Sequence, residues 1–161
     1  DAAPRMIAEA ERRRVRLGAE RVRFEVGDMC ALAMKSGSAR IVTAGYGLRN
    51  VPDFRIAIAE IARVLEPDGV FVALDFYRPT SALWRRLFLG YLAIAGNIVG
   101  WAWHREPVVY GYIARSIDHF VSIEEFSGAL EDAGLQVERV TRKLRGGVAI
   151  HVARKVRGAG K

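Results

Sequence analysis

Cysteine is nearly absent from this 161-residue chain, with Cys30 standing alone. A lone cysteine excludes an internal disulfide, and the want of paired cysteines leans towards a reducing compartment. Histidine is scarce too: His104, His119 and His151 are too dispersed to form a metal-ligand motif, so no metal is expected. Long apolar runs are missing. The one extended uncharged stretch, Leu87 to Trp103, has 17 residues and contains Asn97 and three glycines. A membrane-spanning helix needs about 20 apolar residues, so the stretch reads as an interfacial or substrate-covering segment. The first residues form no signal-peptide core, and a start at Asp1 without methionine suggests a fragment or a processed product.

Acidic residues are in deficit, 18 against 25 Lys and Arg, for a formal net charge of +7. The excess gathers around Arg12–Arg16, at Arg85 and Arg86, and along the tail from Arg142 to Lys161. A basic surface favours polyanions, either nucleic acid or anionic lipid, or is simply a solvated face. No recognised nucleic-acid motif is present, so nucleic acid is not the expected partner. Hydrophobic residues at 51% and charged residues at 27% describe a folding composition, and the length suits one domain.

Periodicity and punctuation outline the elements. Pro4 to Leu17 reads as a helix with Gly18 as its terminal cap. Arg21 to Val26 reads as a short strand, Met29 to Ser38 as a loop or short helix, and Arg40 to Ala44 as a buried strand. Phe54, Ile58, Ile61 and Leu65 recur at helical spacing behind an Asp53 N-cap. Glu66 to Gly69 has turn composition, and Val70 to Leu74 reads as a strand buried on both faces. Ser81 to Trp103 is mostly helical. Ser122 to Ala133 carries a capping box through Ser122 and Glu125, and Leu135–Thr141 and Val148–Ala153 form an antiparallel hairpin. Alternation of this kind predicts an α/β fold with a parallel sheet.

In such sheets ligands bind beyond the carboxyl ends of the parallel strands. Three positions lie there: Gly27-Asp28, the run Gly45 to Asn50, and Asp75 to Arg78. The second is the richest. Its glycines let backbone approach closely, and Arg49 with Asn50 offers a fixed cation beside an amide. An arginine stays protonated near neutral pH, so it stabilises a developing phenolate or orients water rather than acting as a base. The plainer reading is an Arg49–Asp salt bridge that ties the loop down. Cys30 reads as a structural thiol and His151 as a core residue. Trp84, Trp101 and Trp103 read equally as an interface belt or as pocket aromatics.

Residues 45 to 79, GYGLRNVPDFRIAIAEIARVLEPDGVFVALDFYRP, closely resemble the ubiquinone/menaquinone biosynthesis C-methyltransferases, whose signature runs FGLRNV, RVLKPGG and LEFxKP. YGYIARSI (110–117), FVSIEEFSGALEDAGL (120–135) and GGVAIHVARK (146–155) continue the likeness in order. The resemblance covers residues 1 to 155 and leaves 156–161 as a basic tail. It implies a Rossmann-like class I methyltransferase sheet with helices on both faces and a reversed last strand, with S-adenosyl-L-methionine as cofactor. By position, Asp1 resembles the acid that bonds the ribose hydroxyls, Asp28 and Met29 the pair contacting adenine, and Gly45 another cofactor contact. Arg49 and Asn50 resemble the pair that helps deprotonate a polyprenyl quinol ring, which is then methylated at carbon. The Trp84–His104 segment resembles the cover over the isoprenoid tail beside the membrane.

The family's glycine-rich loop precedes the ribose acid, so the first strand and that loop are expected to be absent here. The implied place is the cytoplasm, peripheral at the inner face of the membrane, with the membrane surface and a second copy of the chain as candidate partners. The alternative is a truncated, inactive relative acting as a membrane-associated or complex-associated binding module.

Overall fold

A computed structural model describes residues 2–99, 101 and 108–158. Asp1, Trp103 and His104 therefore lie outside the described residues. Four strands form one sheet in the order β1-β2-β4-β3, with β1 at Ala39–Gly45, β2 at Leu65–Phe76, β3 at Leu135–Lys143 and β4 at Val148–Lys155. β1 and β2 pair in parallel, from Ile41 opposite Val70 to Gly45 opposite Leu74. β4 runs antiparallel to both β2 and β3, which gives the reversed last strand that the resemblance implies.

The helices are α1 (Pro4–Arg16), α2 (Phe54–Val64), α3 (Ala82–Val99), α4 (Val108–His119) and α5 (Ile123–Asp132). Two of them start where local chemistry says they should. The Asp53 side chain accepts from the Arg55 N–H at the head of α2. Ser122 and Glu125 close a reciprocal capping box at the head of α5. After α5, Gly134 takes φ +78, the left-handed conformation that glycine adopts without steric cost. Ile58 and Ile61 of α2 and Phe126 and Leu130 of α5 join Phe71, Ala73, Ala149 and Ala153 of the sheet in one core.

Four strand expectations need correction. Arg40–Ala44 is a strand but not a buried one: β1 is the sheet's edge among the described residues, no residue in it is buried, and Ile41 is 67% exposed. Arg21–Val26 forms no strand. A strand needs a second strand to continue its ladder, and the four-stranded sheet of the described residues does not extend to this segment, where the Val22 N–H instead closes a turn onto the Ala19 carbonyl at 3.1 Å. The turn at Glu66–Gly69 is enclosed within β2: the pairing with β1 jumps from Ala39–Leu65 to Ile41–Val70, and Asp68 sits at φ 63 in the bulge between. Nor is the Val70–Leu74 stretch fully buried on both faces. Phe71 and Ala73 are sealed, whereas Val70, Val72 and Leu74 are half-buried. α4 carries no strong signal in the sequence and was not foreseen as a helix.

α3 is held against the end of the sheet by a tight turn. Trp84 stacks on Phe88 at 5.9 Å, and its indole N–H donates to the Leu144 carbonyl at 3.0 Å. Leu144 and Arg145 both have positive φ, and a side chain at Gly147 would collide with the Phe88 ring at 2.7 Å. The outward side of α3 has a different character. Leu83, Leu87, Tyr91, Ile94 and Ile98, continued by Trp101, are 57–72% exposed and fall on one stripe. Arg86 is exposed at the flank of that face, and the helix contains no acidic residue. No helix among the described residues is long and apolar enough to cross a membrane.

Candidate functional site

β1 ends at Gly45, and the chain turns at once. Tyr46 adopts φ 56, and a short 3-10 turn, Leu48–Asn50, leads towards α2. A cleft of about 670 Å³ opens in front of this turn, and Asp28, Met29, Gly45, Tyr46 and Asn50 all line it. Two of the three sequence positions, Gly27-Asp28 and Gly45–Asn50, therefore meet across one space. At Gly45 an added Cβ would touch nothing within 4 Å, so the ground before it is open. Gly47 has the opposite role, since a Cβ there would stand 3.1 Å from the Met29 methyl. Its missing side chain lets Met29 pack against the turn.

The far wall, residues 29–36, is pinned by α2. The Arg63 guanidinium donates to the carbonyls of Leu32 and Met34 at 2.9 and 2.8 Å, and Glu60 accepts from the Leu32 N–H at 2.9 Å. The Arg63 guanidinium beside Glu60 also holds that carboxyl below its ordinary range. Asp28 uses Oδ1 to accept from the Cys30 N–H at 2.8 Å. Burial, reinforced by the Asp28 carboxylate, pushes the Cys30 thiol up, as suits a structural rather than a reactive cysteine.

Arg49 and Asn50 part company. Asn50 is exposed in the cleft. Its amide donates to the Tyr46 carbonyl at 3.1 Å, and its Oδ1 has no partner among the described residues. The Arg49 side chain is only 4% exposed. Its Nη1 donates to Asp75 Oδ1 at 2.7 Å and to the Tyr46 carbonyl at 3.1 Å, and its Nε donates to Ser116 Oγ at 3.2 Å. Asp75, 1% exposed, also accepts from the Phe76 N–H at 2.8 Å. The plainer reading of Arg49, an ion pair that ties the loop, is thus present in the structure. It places a fixed positive charge directly behind the cleft wall.

The third sequence position divides. Asp75 joins the site, whereas Arg78 points elsewhere and pairs with Glu125 at 3.2 Å. Ser116, on α4, was not foreseen, and nothing in the sequence marks it. The positive φ of Tyr46 was missed because the glycines on both sides already account for a turn. Among the described residues no group of three or more His, Cys, Asp or Glu could hold a metal.

The arrangement is that of a Rossmann-like fold shared with S-adenosylmethionine-dependent methyltransferases. Solved structures agree. The [4+2]-cyclase SpnF superposes with TM-score 0.71 at 16% identity, over 98% of this chain and 64% of that one. A SAM-dependent methyltransferase from Aquifex aeolicus gives 0.64 at 15%, over 97% and 66%. The profile of the ubiE/COQ5 methyltransferase family matches residues 1–155, and the chain belongs to that family. Demethylmenaquinone methyltransferase of Staphylococcus aureus (strain JH9) is 35% identical over 130 residues, 81% of this chain. The aligned region is 54% of that relative, so the chain spans about half its length.

Proposed function

We propose that the protein transfers a methyl group from S-adenosyl-L-methionine to a ring carbon of a polyprenyl quinol, in menaquinone or ubiquinone biosynthesis. The observation that carries this reading is the meeting of Asp28, Met29, Gly45 and Asn50 in one cleft at the carboxyl end of the parallel strands, with the Arg49 charge buried behind it.

The residues suit the cofactor. Asp28 keeps Oδ2 free to accept from an exocyclic amine, Met29 offers an apolar platform, and open space stands before Gly45. Asp1 would accept from a ribose diol. When bound, S-adenosylmethionine supplies an electrophilic sulfonium methyl. On the acceptor side, Asn50 Oδ1 takes a hydrogen bond from the quinol hydroxyl, whose proton passes to solvent water, and Arg49, behind the wall, stabilises the resulting phenolate through the field of its charge, partly offset by Asp75, rather than by contact.

The exposed apolar stripe of α3, flanked by Arg86 and with no acidic residue in the helix, supports a peripheral position on an anionic membrane at the cytoplasmic face, where a polyprenyl substrate resides. The test presents a short-chain demethylmenaquinol in vesicles and follows labelled methyl into the ring. Transfer on phosphatidylglycerol vesicles should exceed that on neutral phosphatidylcholine by roughly tenfold and fall as salt rises, because basic side chains near the surface contribute about 1 kcal/mol each. Leu87→Glu together with Ile94→Glu should erase the preference. Absence of transfer in every vesicle and in detergent would reject the reading.

A further inference from the structure

We infer that Tyr46 selects a planar aromatic acceptor by offering one face of its ring to the cleft, an inference that rests on the quinol reading above. It starts from a backbone outlier. Tyr46 holds φ 56, a region that bulky side chains avoid, between two glycines of which neither has positive φ. Glycine at position 46 would meet no such penalty. Strain of this kind persists only where the surroundings over-determine it, and it gathers at functional sites.

Here the surroundings are specific. The Tyr46 N–H donates to the Leu74 carbonyl at 2.8 Å, which extends the β1–β2 ladder by one residue. Its carbonyl accepts from both Arg49 Nη1 and Asn50 Nδ2, each at 3.1 Å. The two residues that the resemblance places in the chemistry are thus the two that fix the Tyr46 peptide.

The result is an aromatic ring, 43% exposed, in the wall of the cleft. Its support is a tilted contact with Phe76 at 5.3 Å. The Arg49 guanidinium lies over the ring, 5.8 Å from its centroid, and is itself shielded from water. A cation against a π-system draws on its electrons. The remaining surface then stacks better on an electron-rich ring such as a hydroquinone than on an aliphatic acceptor. Tyr46 is therefore a specificity-determining residue, distinct from the groups assigned to the cofactor.

Two variants separate this role from plain packing. Tyr46→Phe keeps the ring. Tyr46→Asn removes it while remaining at ease in the left-handed region. The chain and both variants are titrated calorimetrically with 1,4-dihydroxynaphthalene kept reduced, and separately with S-adenosylhomocysteine, and thermal unfolding is recorded for each. Tyr46→Phe should bind the diol within about twofold of the unchanged chain. Tyr46→Asn should bind it about tenfold more weakly, the scale of one aromatic stacking contact, with Tm and S-adenosylhomocysteine affinity retained. Diol binding by Tyr46→Asn as tight as the unchanged chain's overturns the inference. So does a joint loss of diol binding, cofactor-product binding and Tm, which marks a structural role. If the unchanged chain binds S-adenosylhomocysteine but not the diol, Tyr46 is misassigned while the methyltransferase reading stands. If it binds neither, both fail.

Discussion

Asp75→Ala is expected to lower the unfolding free energy by about 3–5 kcal/mol, the range for breaking a buried ion pair from one side. The side chains of Arg49 and Asp75 are 4% and 1% exposed and meet at 2.7 Å. Without the carboxylate, the guanidinium keeps the Tyr46 carbonyl and Ser116 Oγ, neither of which carries a compensating charge. Arg49→Ala should cost a similar amount by stranding the anion. Arg49→Met combined with Asp75→Leu should cost less than either single change, because two apolar side chains leave no buried charge. Urea denaturation of the three variants checks this; single substitutions costing under about 1 kcal/mol would show that water reaches the pair. The consequence is practical. The motif alone suggests that Ala at position 49 stops turnover and spares the fold, but a buried pair makes both fail together. Asn50→Ala, at an exposed position with one side-chain bond to the Tyr46 carbonyl, reports on the chemistry more cleanly.

The second large effect is on acid stability and centres on His151, which is fully buried in β4. Ser127 Oγ donates to the Ile123 carbonyl at 2.9 Å and so accepts from His151 Nε2 at 3.1 Å. That tautomer, assigned from the bonding network, leaves Nδ1 to accept from the Tyr77 hydroxyl at 3.1 Å. Burial pushes the Tyr77 phenol well up, which keeps it a donor. Burial pushes the histidine down from 6.5 to about 4. Between those two values the unfolded chain binds a proton that the folded chain refuses. The stability is complete above about pH 6.5 and is lost as pH falls towards 4, by about 3 kcal/mol in all. His151→Gln should be less stable at neutral pH and should lack this slope. Urea denaturation of both chains from pH 7.5 to 4 tests it, and equal slopes would contradict the assignment.

What was legible in the sequence was whatever local chemistry marks. The Asp53 cap and the Ser122–Glu125 box placed two helices, because a helix head must satisfy its own free N–H groups within a few residues. The β3–β4 hairpin was marked by its glycine turn, and Gly45–Asn50 by its mix of glycine with polar groups. What escaped depends on partners distant in sequence. Arg21–Val26 has strand composition, but composition supplies no neighbour. Ser116 stands 67 residues from Arg49, and no pattern announces it; Asp75, 26 residues away, was marked as a strand-end position and an Arg49–Asp pair was expected, but not which aspartate would supply it. Tyr46 was hidden by the glycines beside it, which explain a turn without revealing which residue carries the strain.

The most direct test of the central claim is calorimetric titration of the chain with S-adenosylhomocysteine, alongside Asp28→Ala. A cleft that holds the cofactor predicts micromolar binding, weakened about tenfold or more when the Asp28 carboxylate is removed, since a hydrogen bond to a charged group contributes about 1.5–3 kcal/mol. Equal affinity in the two chains, or no binding by the unchanged one, would contradict the assignment of this cleft.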